Sequence, residues 1–155
     1  MQEIAAEFAI GRDIHVGDTI IGIKGRVGFE AAAPLIIIKA HSLLEKHTLS
    51  KWQLHHKDYI GTYYGMMLHE GNYLDPVMRD FEQLLQSSQR TVSGTVFVTL
   101  HPHRFTLDGI ESTYDLMDNT FGTYGEENKK WSSEEAKGFI KLSANAGKIY
   151  KHVNK

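Results

Sequence analysis

A junction between two unlike segments limits the possible folds of this sequence more than any other feature. A glycine-rich basic segment, Gly22 to Gly28, runs almost directly into an apolar segment, Ala31 to Ile38. Glycine allows close approach of the backbone to a ligand or another strand, whereas an apolar run has to be buried. The apolar run is far shorter than the roughly 20 residues that span a bilayer, so we expect a buried element and no membrane partner.

Composition excludes several classes of protein. The chain has 155 residues, a net charge of −2 and no cysteine. One domain fits this length, and disulfides, thiolate nucleophiles and cysteine-bound metals are excluded. The weak negative charge gives no general attraction to nucleic acid, so no nucleic-acid partner is expected. The lack of cysteine is typical of a reducing compartment, and we expect a cytoplasmic protein.

Three helices are predicted in the first half of the chain. Residues Glu30 to Lys46 suit a buried strand or a helix by pattern, but the alanines and an early Pro34 favour the helix. From Thr48 to Glu70, apolar residues recur every three or four positions, and Gly71 is a typical helix stop. Asp75 and Pro76 then resemble the cap and first residue of a third helix.

Strands are predicted on both sides of these helices. Asp18 to Lys24 is rich in β-branched residues and is interpreted as a strand, whereas residues 1–13 show no clear period and are interpreted as irregular. Val92 to Leu100 and Arg104 to Leu107 alternate with period two across a turn at 101–103. The expected fold is therefore α+β, with a layer of about three helices and a small, mostly antiparallel sheet.

The chain ends in an amphipathic segment, residues 132–155. Ser132 and Glu135 have the spacing of a helix-capping pair, and Phe139 begins a series of apolar residues that continues to Val153. A helix this apolar has to pack on something, and we expect it to associate with a neighbouring subunit.

The basic segment by itself leaves two functions open. Lys24 and Arg26 between glycines could bind an anion, but the segment lacks the Gly-Lys-Ser/Thr ending of a phosphate-binding loop, and its pattern favours a bent edge strand with solvated bases. The nine histidines show no metal-binding spacing, and no nucleophile elbow is present, so no metal and no catalytic residue are predicted.

Several blocks of sequence, in order along nearly the whole chain, resemble the C-terminal half of argininosuccinate synthases. These blocks are GDTIIGIKGR at 17–26, FEA at 29–31, IKAH at 38–41, LHEG at 68–71, PVMR at 76–79, SQRTVSG at 88–94, YDL at 114–116 and AKGFI at 136–140.

The resemblance implies an activity that this chain carries only in part. The family condenses citrulline and aspartate with cleavage of ATP to AMP and pyrophosphate, a ligase step of arginine biosynthesis. ATP and magnesium bind an N-terminal domain whose Ser-Gly-Gly loop is not found in this sequence. Residues 1–155 would then be the C-terminal synthetase and multimerisation domain, inactive alone. Residues 132–155 would be the multimerisation helix of a homotetramer.

The resemblance also implies a citrulline-side site formed by Gly17, Asp18, Lys24, Arg26, Phe29 and Glu30. Two positions depart from the family pattern: Gly17 stands where a glutamate is common, and Phe29 where a tyrosine is common. Either Asp18 substitutes for the glutamate, or the substrate is an N-acylated citrulline whose acyl group fills the space at Gly17. Glu30 could equally be a helix-start residue, and Arg26 an interdomain ion pair. A stand-alone, non-catalytic oligomerisation or binding module is the alternative from another class.

Overall fold

The computed structural model describes residues 1–117, 120–122 and 129–154. It divides into two compact units, the first from Met1 to Leu116 and the second from Met117 onward. The first unit contains helices and two separate antiparallel hairpins, which confirms the expected α+β fold. Its elements are α1 (Gln2–Glu7), β1 (Arg12–Asp18), β2 (Lys24–Glu30), α2 (Ala32–Thr48), α3 (Lys51–His69), α4 (Val77–Ser88), β3 (Thr95–His101) and β4 (Arg104–Glu111).

The first hairpin differs from the prediction, because the segment interpreted as a strand is mostly its turn. β1 ends and β2 begins at the two ends of that segment, and the residues between them form the connection. Gly22 adopts a φ of +86°, and the Thr19 amide donates to the Ile23 carbonyl at 3.2 Å. A backbone conformation that only glycine adopts easily therefore overrides the β propensity of the neighbouring isoleucines.

Residues 1–13, which were predicted to be irregular, also contain regular secondary structure. Residues 2–7 form α1, and β1 already begins at Arg12. The sequence QEIAAE consists mainly of good helix formers, but one and a half turns are too few to show a period.

The predicted helical layer is confirmed as α2, α3 and α4. A capping box starts α3: the Gln53 amide donates to the Ser50 hydroxyl, and the Ser50 amide donates to the Gln53 side chain. At the start of α4 the Asp75 carboxylate accepts from the Val77 amide at 3.0 Å. These side chains satisfy backbone donors that the first helical turn leaves unpaired, which fixes where each helix begins.

The core joins α1 and α2 to the second hairpin. The predicted turn at Pro102 and His103 connects β3 to β4, with His103 at a φ of +65°. The His103 amide donates to the Phe8 carbonyl at 2.7 Å, which ties this turn to the end of α1. The buried cluster and the side chains packed on it are Ala5, Ile10, Ala32, Ile36, Phe8, Val98, Leu100 and Phe105.

The second unit contains two helices, α5 (Ser133–Ser143) and α6 (Asn145–Val153), where the sequence predicted one. The predicted capping pair is present, since Ser132 accepts from the Glu135 amide and Glu135 accepts from the Ser132 amide. The break falls in the sequence SANAG, where serine, asparagine and glycine are poor helix formers. Lys155, the last residue of the predicted helix, lies outside the described residues.

No helix in the described ranges combines the length and the apolar character needed to cross a bilayer.

Candidate functional site

The register of the first hairpin sorts the six predicted site residues onto two faces. Residues directly opposite in an antiparallel pair share a face, and successive residues alternate. Gly17 pairs with Gly25, and Asp13 pairs with Phe29. Gly17 and Phe29 therefore lie on one face, together with His15. The other face carries the charged members of the set, which are Asp18, Lys24, Arg26 and Glu30.

On the charged face, ion pairs occupy most of the predicted residues. Arg12 Nε donates to Glu30 Oε1 at 3.1 Å at one end of the ribbon, and Lys24 donates to Asp18 at the other. Glu30 is the last residue of β2 and is paired with Arg12, so it is not the helix-start residue that one alternative suggested. The guanidinium group of Arg26 has no hydrogen bond or ion pair with any other residue in the described part of the chain.

On the face that carries Gly17 and Phe29, the imidazole of His15 lies over Gly17. A Cβ atom added at Gly17 would be 2.6 Å from His15 Nε2 and 3.3 Å from Cδ2. The space that a side chain at position 17 would need is thus taken by His15, which is itself exposed to solvent. Phe29 lies further along the same face with 44% of its surface exposed.

A cavity of about 610 Å³ lies between this hairpin and the C-terminal end of α3. Its size is in the range of small-molecule sites. It brings together three of the six predicted residues, Gly17, Asp18 and Arg26; Lys24, Phe29 and Glu30 do not line it. Its full lining is His15, Gly17, Asp18, Thr19, Ile20, Gly25, Arg26, Val27, Met66, His69 and Glu70.

The site predicted from the sequence lacks eight of the eleven residues that line this cavity, among them His15, Met66, His69 and Glu70. His15 could have been found from strand alternation, because it lies two residues before Gly17 and so shares its face. The three α3 residues are about fifty positions away in the sequence, and only the fold brings them to the hairpin.

The cavity offers binding groups of both charges. Asp18 and Glu70 are acidic, Arg26 is basic and free of other partners among the described residues, and two imidazoles can donate or accept. Such a set suits a small polar ligand that carries a carboxylate together with groups that donate and accept hydrogen bonds. Within the described ranges no group of three or more histidine, aspartate or glutamate side chains is placed to hold a metal ion.

Comparison with known proteins points to one family. The family model described as "Arginosuccinate synthase C-terminal domain" matches residues 1–150. The argininosuccinate synthase of Xanthomonas axonopodis pv. citri is 35% identical over 155 residues, which is 100% of this chain and 37% of that protein. That of Xylella fastidiosa is 34% identical over the same length, and that of Dictyoglomus turgidum is 35% identical over 142 residues.

The match covers nearly all of this chain but only part of each relative. It covers 92–100% of this chain, whereas the chain spans only 36–38% of the length of these relatives. A family model that matches nearly every residue, together with relatives above 30% identity, establishes the family. The chain belongs to the argininosuccinate synthase C-terminal domain family.

Proposed function

We propose that this chain forms the citrulline side of the active-site cleft, and part of the oligomer interface, of an argininosuccinate synthase. The complete enzyme would join citrulline to aspartate and cleave ATP to AMP and pyrophosphate. The observation that carries the proposal is the cavity beside the first hairpin, where acidic, basic and imidazole groups meet in a chain of this family. The residues proposed to shape this side of the cleft are Gly17, Asp18, Lys24, Arg26, Phe29 and Glu30.

The proposed role is positioning rather than acid–base or nucleophilic chemistry. Holding two reactants in the correct geometry is by itself a large part of catalysis. ATP and magnesium would bind a separate N-terminal domain, and the reaction would take place in the cytoplasm. The purified 155-residue chain should therefore release no AMP from ATP in the presence of citrulline and aspartate; measurable release would contradict this division of labour.

A chimera tests the assignment directly. The C-terminal part of the Xanthomonas axonopodis enzyme that aligns with this chain, 37% of its length, would be replaced by residues 1–155. We expect formation of argininosuccinate and AMP in equal amounts, measured by mass spectrometry. A matched chimera with Arg26→Ala should lose citrulline binding more than ATP binding. A correctly folded chimera that binds ATP but forms no product would favour a stand-alone, non-catalytic oligomerisation or binding module.

The exposed apolar side chains of α5 and α6 support the proposed role in oligomer formation. Phe139, Leu142 and Tyr150 each expose between 71% and 72% of their surface, far more than such side chains retain in a packed core. We propose that they contact other copies of the chain, as a tetramer in the complete enzyme. Light scattering should detect self-association that is lost on deletion of residues 144–155. A monomer at high concentration, unchanged by the deletion, would refute it.

The substrate form is a second question, and one observation favours N-acylated citrulline. The hairpin face immediately around Gly17 presents His15, Val27 and Gly25; the carboxylate on this face, Asp13, is four positions away opposite Phe29, and none stands at position 17 to attract an ammonium group. An amide would suit this face because it needs no counter-charge. The active chimera should then have a higher kcat/KM for Nα-acetyl-L-citrulline than for L-citrulline. Equal values, or a preference for free citrulline, would reject the N-acyl form.

A further inference from the structure

Two facing glycines leave a gap in the first hairpin, and one imidazole fills it. Gly17 and Gly25 are directly opposite in the β1–β2 register, so neither strand supplies a side chain at this point. His15 shares their face, and its Nε2 is the atom closest to where a Cβ of residue 17 would be, at 2.6 Å. A flexible side chain from two residues away thus takes the position that residue 17 leaves vacant.

The imidazole occupies this position at the wall of the cavity. His15, Gly17 and Gly25 all line it, and Met66, His69 and Glu70 of the α3 end line it as well. No described residue forms a hydrogen bond or ion pair with the His15 ring. Its ring nitrogens are therefore available to a ligand. A neutral imidazole can accept a hydrogen bond from an ammonium group or donate one to an amide carbonyl.

We propose that His15 is the residue that recognises the α-nitrogen end of the substrate, in place of the side chain that Gly17 lacks. This inference rests on the proposed function, because it takes the ligand to be citrulline or an Nα-acyl derivative of it. The chemistry common to both is a polar group on the α-nitrogen that forms one hydrogen bond with His15. His15 is thus a specificity-determining residue that no part of the family resemblance identified.

The test is a binding titration of the 155-residue chain with L-citrulline and, in a parallel arm, with Nα-acetyl-L-citrulline. Binding is followed through the imidazole signals in NMR spectra, which report His15 directly. We expect the His15 signal to shift on addition of at least one of the two compounds. In His15→Ala the dissociation constant should rise by about fivefold or more, as expected for loss of one hydrogen bond. The arm that responds identifies the substrate form.

Two further variants separate recognition from a merely structural effect. Gly17→Ala keeps His15 but places a Cβ where the ring now lies, and Gly17 does not have a positive φ, so the backbone accepts alanine. It should weaken binding as much as His15→Ala does. His55→Ala, at an exposed position on α3 that does not line the cavity, is the matched control and should leave binding unchanged.

The outcomes separate this inference from the proposed function. Binding that is unaffected in both His15→Ala and Gly17→Ala would overturn the role of His15 even if the chimera forms argininosuccinate. If neither compound binds the separate chain, an unchanged KM for both compounds in a His15→Ala chimera would overturn it in the same way. Binding through His15 together with an inactive chimera would instead contradict the synthase assignment and leave the recognition role in place.

Discussion

Replacing Lys57 with methionine should strongly destabilise the packing of α2 against α3. Glu45, on α2, has only 1% of its side chain exposed, so its carboxylate is buried. Lys57 Nζ on α3 donates to Glu45 Oε2 at 2.6 Å, and Gln89 Nε2 donates to Glu45 Oε1 at 2.8 Å. Methionine keeps the length of the lysine side chain but removes the positive charge and the donor. The Glu45 carboxylate would keep the hydrogen bond from Gln89 and a longer contact with His41 Nε2, at 3.9 Å.

The expected loss follows from the cost of an unpaired buried charge. Removal of one partner of a buried ion pair typically costs about 3–5 kcal/mol. Lys57 keeps 20% of its side chain exposed and Gln89 remains as a donor, so the lower end of that range applies. We expect the free energy of unfolding to fall by about 3 kcal/mol, which lowers Tm by roughly 6–12 °C for a chain of this size.

Urea unfolding followed by circular dichroism measures this loss, and amide hydrogen exchange of residues 44–49 shows where it arises. Lys39→Met is the matched control, because Lys39 is an exposed lysine on α2 without an ion pair among the described residues. It should change the free energy of unfolding by less than about 0.5 kcal/mol. The double variant Lys57→Met/Glu45→Gln should recover part of the loss. If Lys57→Met behaves like Lys39→Met, the ion pair does not stabilise the unit.

The same pair predicts a pH dependence. Burial lowers the pKa of Lys57, but the hydrogen bond and charge of Glu45, with a smaller contribution from Asp58, outweigh burial and raise the pKa above its ordinary 10.5. A raised pKa in the folded state stabilises the fold fully below 10.5, and this contribution is lost as pH rises through the folded value. The free energy of unfolding of the unaltered chain should therefore decline above pH 10.5 more steeply than that of Lys57→Met.

Three other changes test separate parts of the fold. Gly11→Ala should lower the free energy of unfolding by at least about 2 kcal/mol, because Gly11 has a φ of +78° and a Cβ at this position would lie 2.6 Å from the Ala32 nitrogen. An unchanged Tm would contradict this prediction. Met78→Ala should cost about 2–5 kcal/mol in urea unfolding, since Met78 is fully buried, and a smaller loss would indicate looser packing at α4. Hydrogen bonds from the Ser132 backbone and side chain lower the pKa of Glu135. Their stabilising effect on α5 is therefore present above about pH 4.5 and is lost as the pH falls through the pKa of the folded state. The acid-dependent loss of helical circular dichroism should be smaller in Glu135→Gln than in the unaltered chain.

The helices were predictable because their signals are local. Caps such as Ser50 and Asp75 act on the next few residues, and the α3 period extends over five turns. The second hairpin was predictable for the same reason, since its strands are joined by a turn of two residues. The first hairpin was not, because the β-branched character of residues 19–23 favours extended chain, and the positive φ at Gly22 is not visible in composition.

The candidate site was predictable only in part, since it depends on the register of that hairpin. Gly17 and Phe29 are twelve positions apart, and whether they share a face depends on where the turn lies. An assumed strand from 18 to 24 would have placed the turn elsewhere and mixed the two faces. The contribution of α3 through Met66, His69 and Glu70 depends on tertiary contacts that no local pattern encodes.

The first hairpin is a ribbon of two strands only, and this has a consequence for affinity. Within the part of the chain that the structure describes, neither β1 nor β2 has a second neighbour in the sheet, so each strand has one edge whose backbone groups are not part of a ladder. A two-stranded ribbon has little stability of its own, and the solvent-exposed ion pairs at its two ends, Arg12 with Glu30 and Asp18 with Lys24, add little to it. A ligand that binds between the ribbon and α3 has to restrict the motion of the ribbon, and part of the binding free energy is used for this ordering. A neighbouring segment that packs against the open edges in a larger assembly would restrict the ribbon before the ligand binds. The same ligand would then bind the assembly more tightly than the separate chain, without any new contact to the ligand.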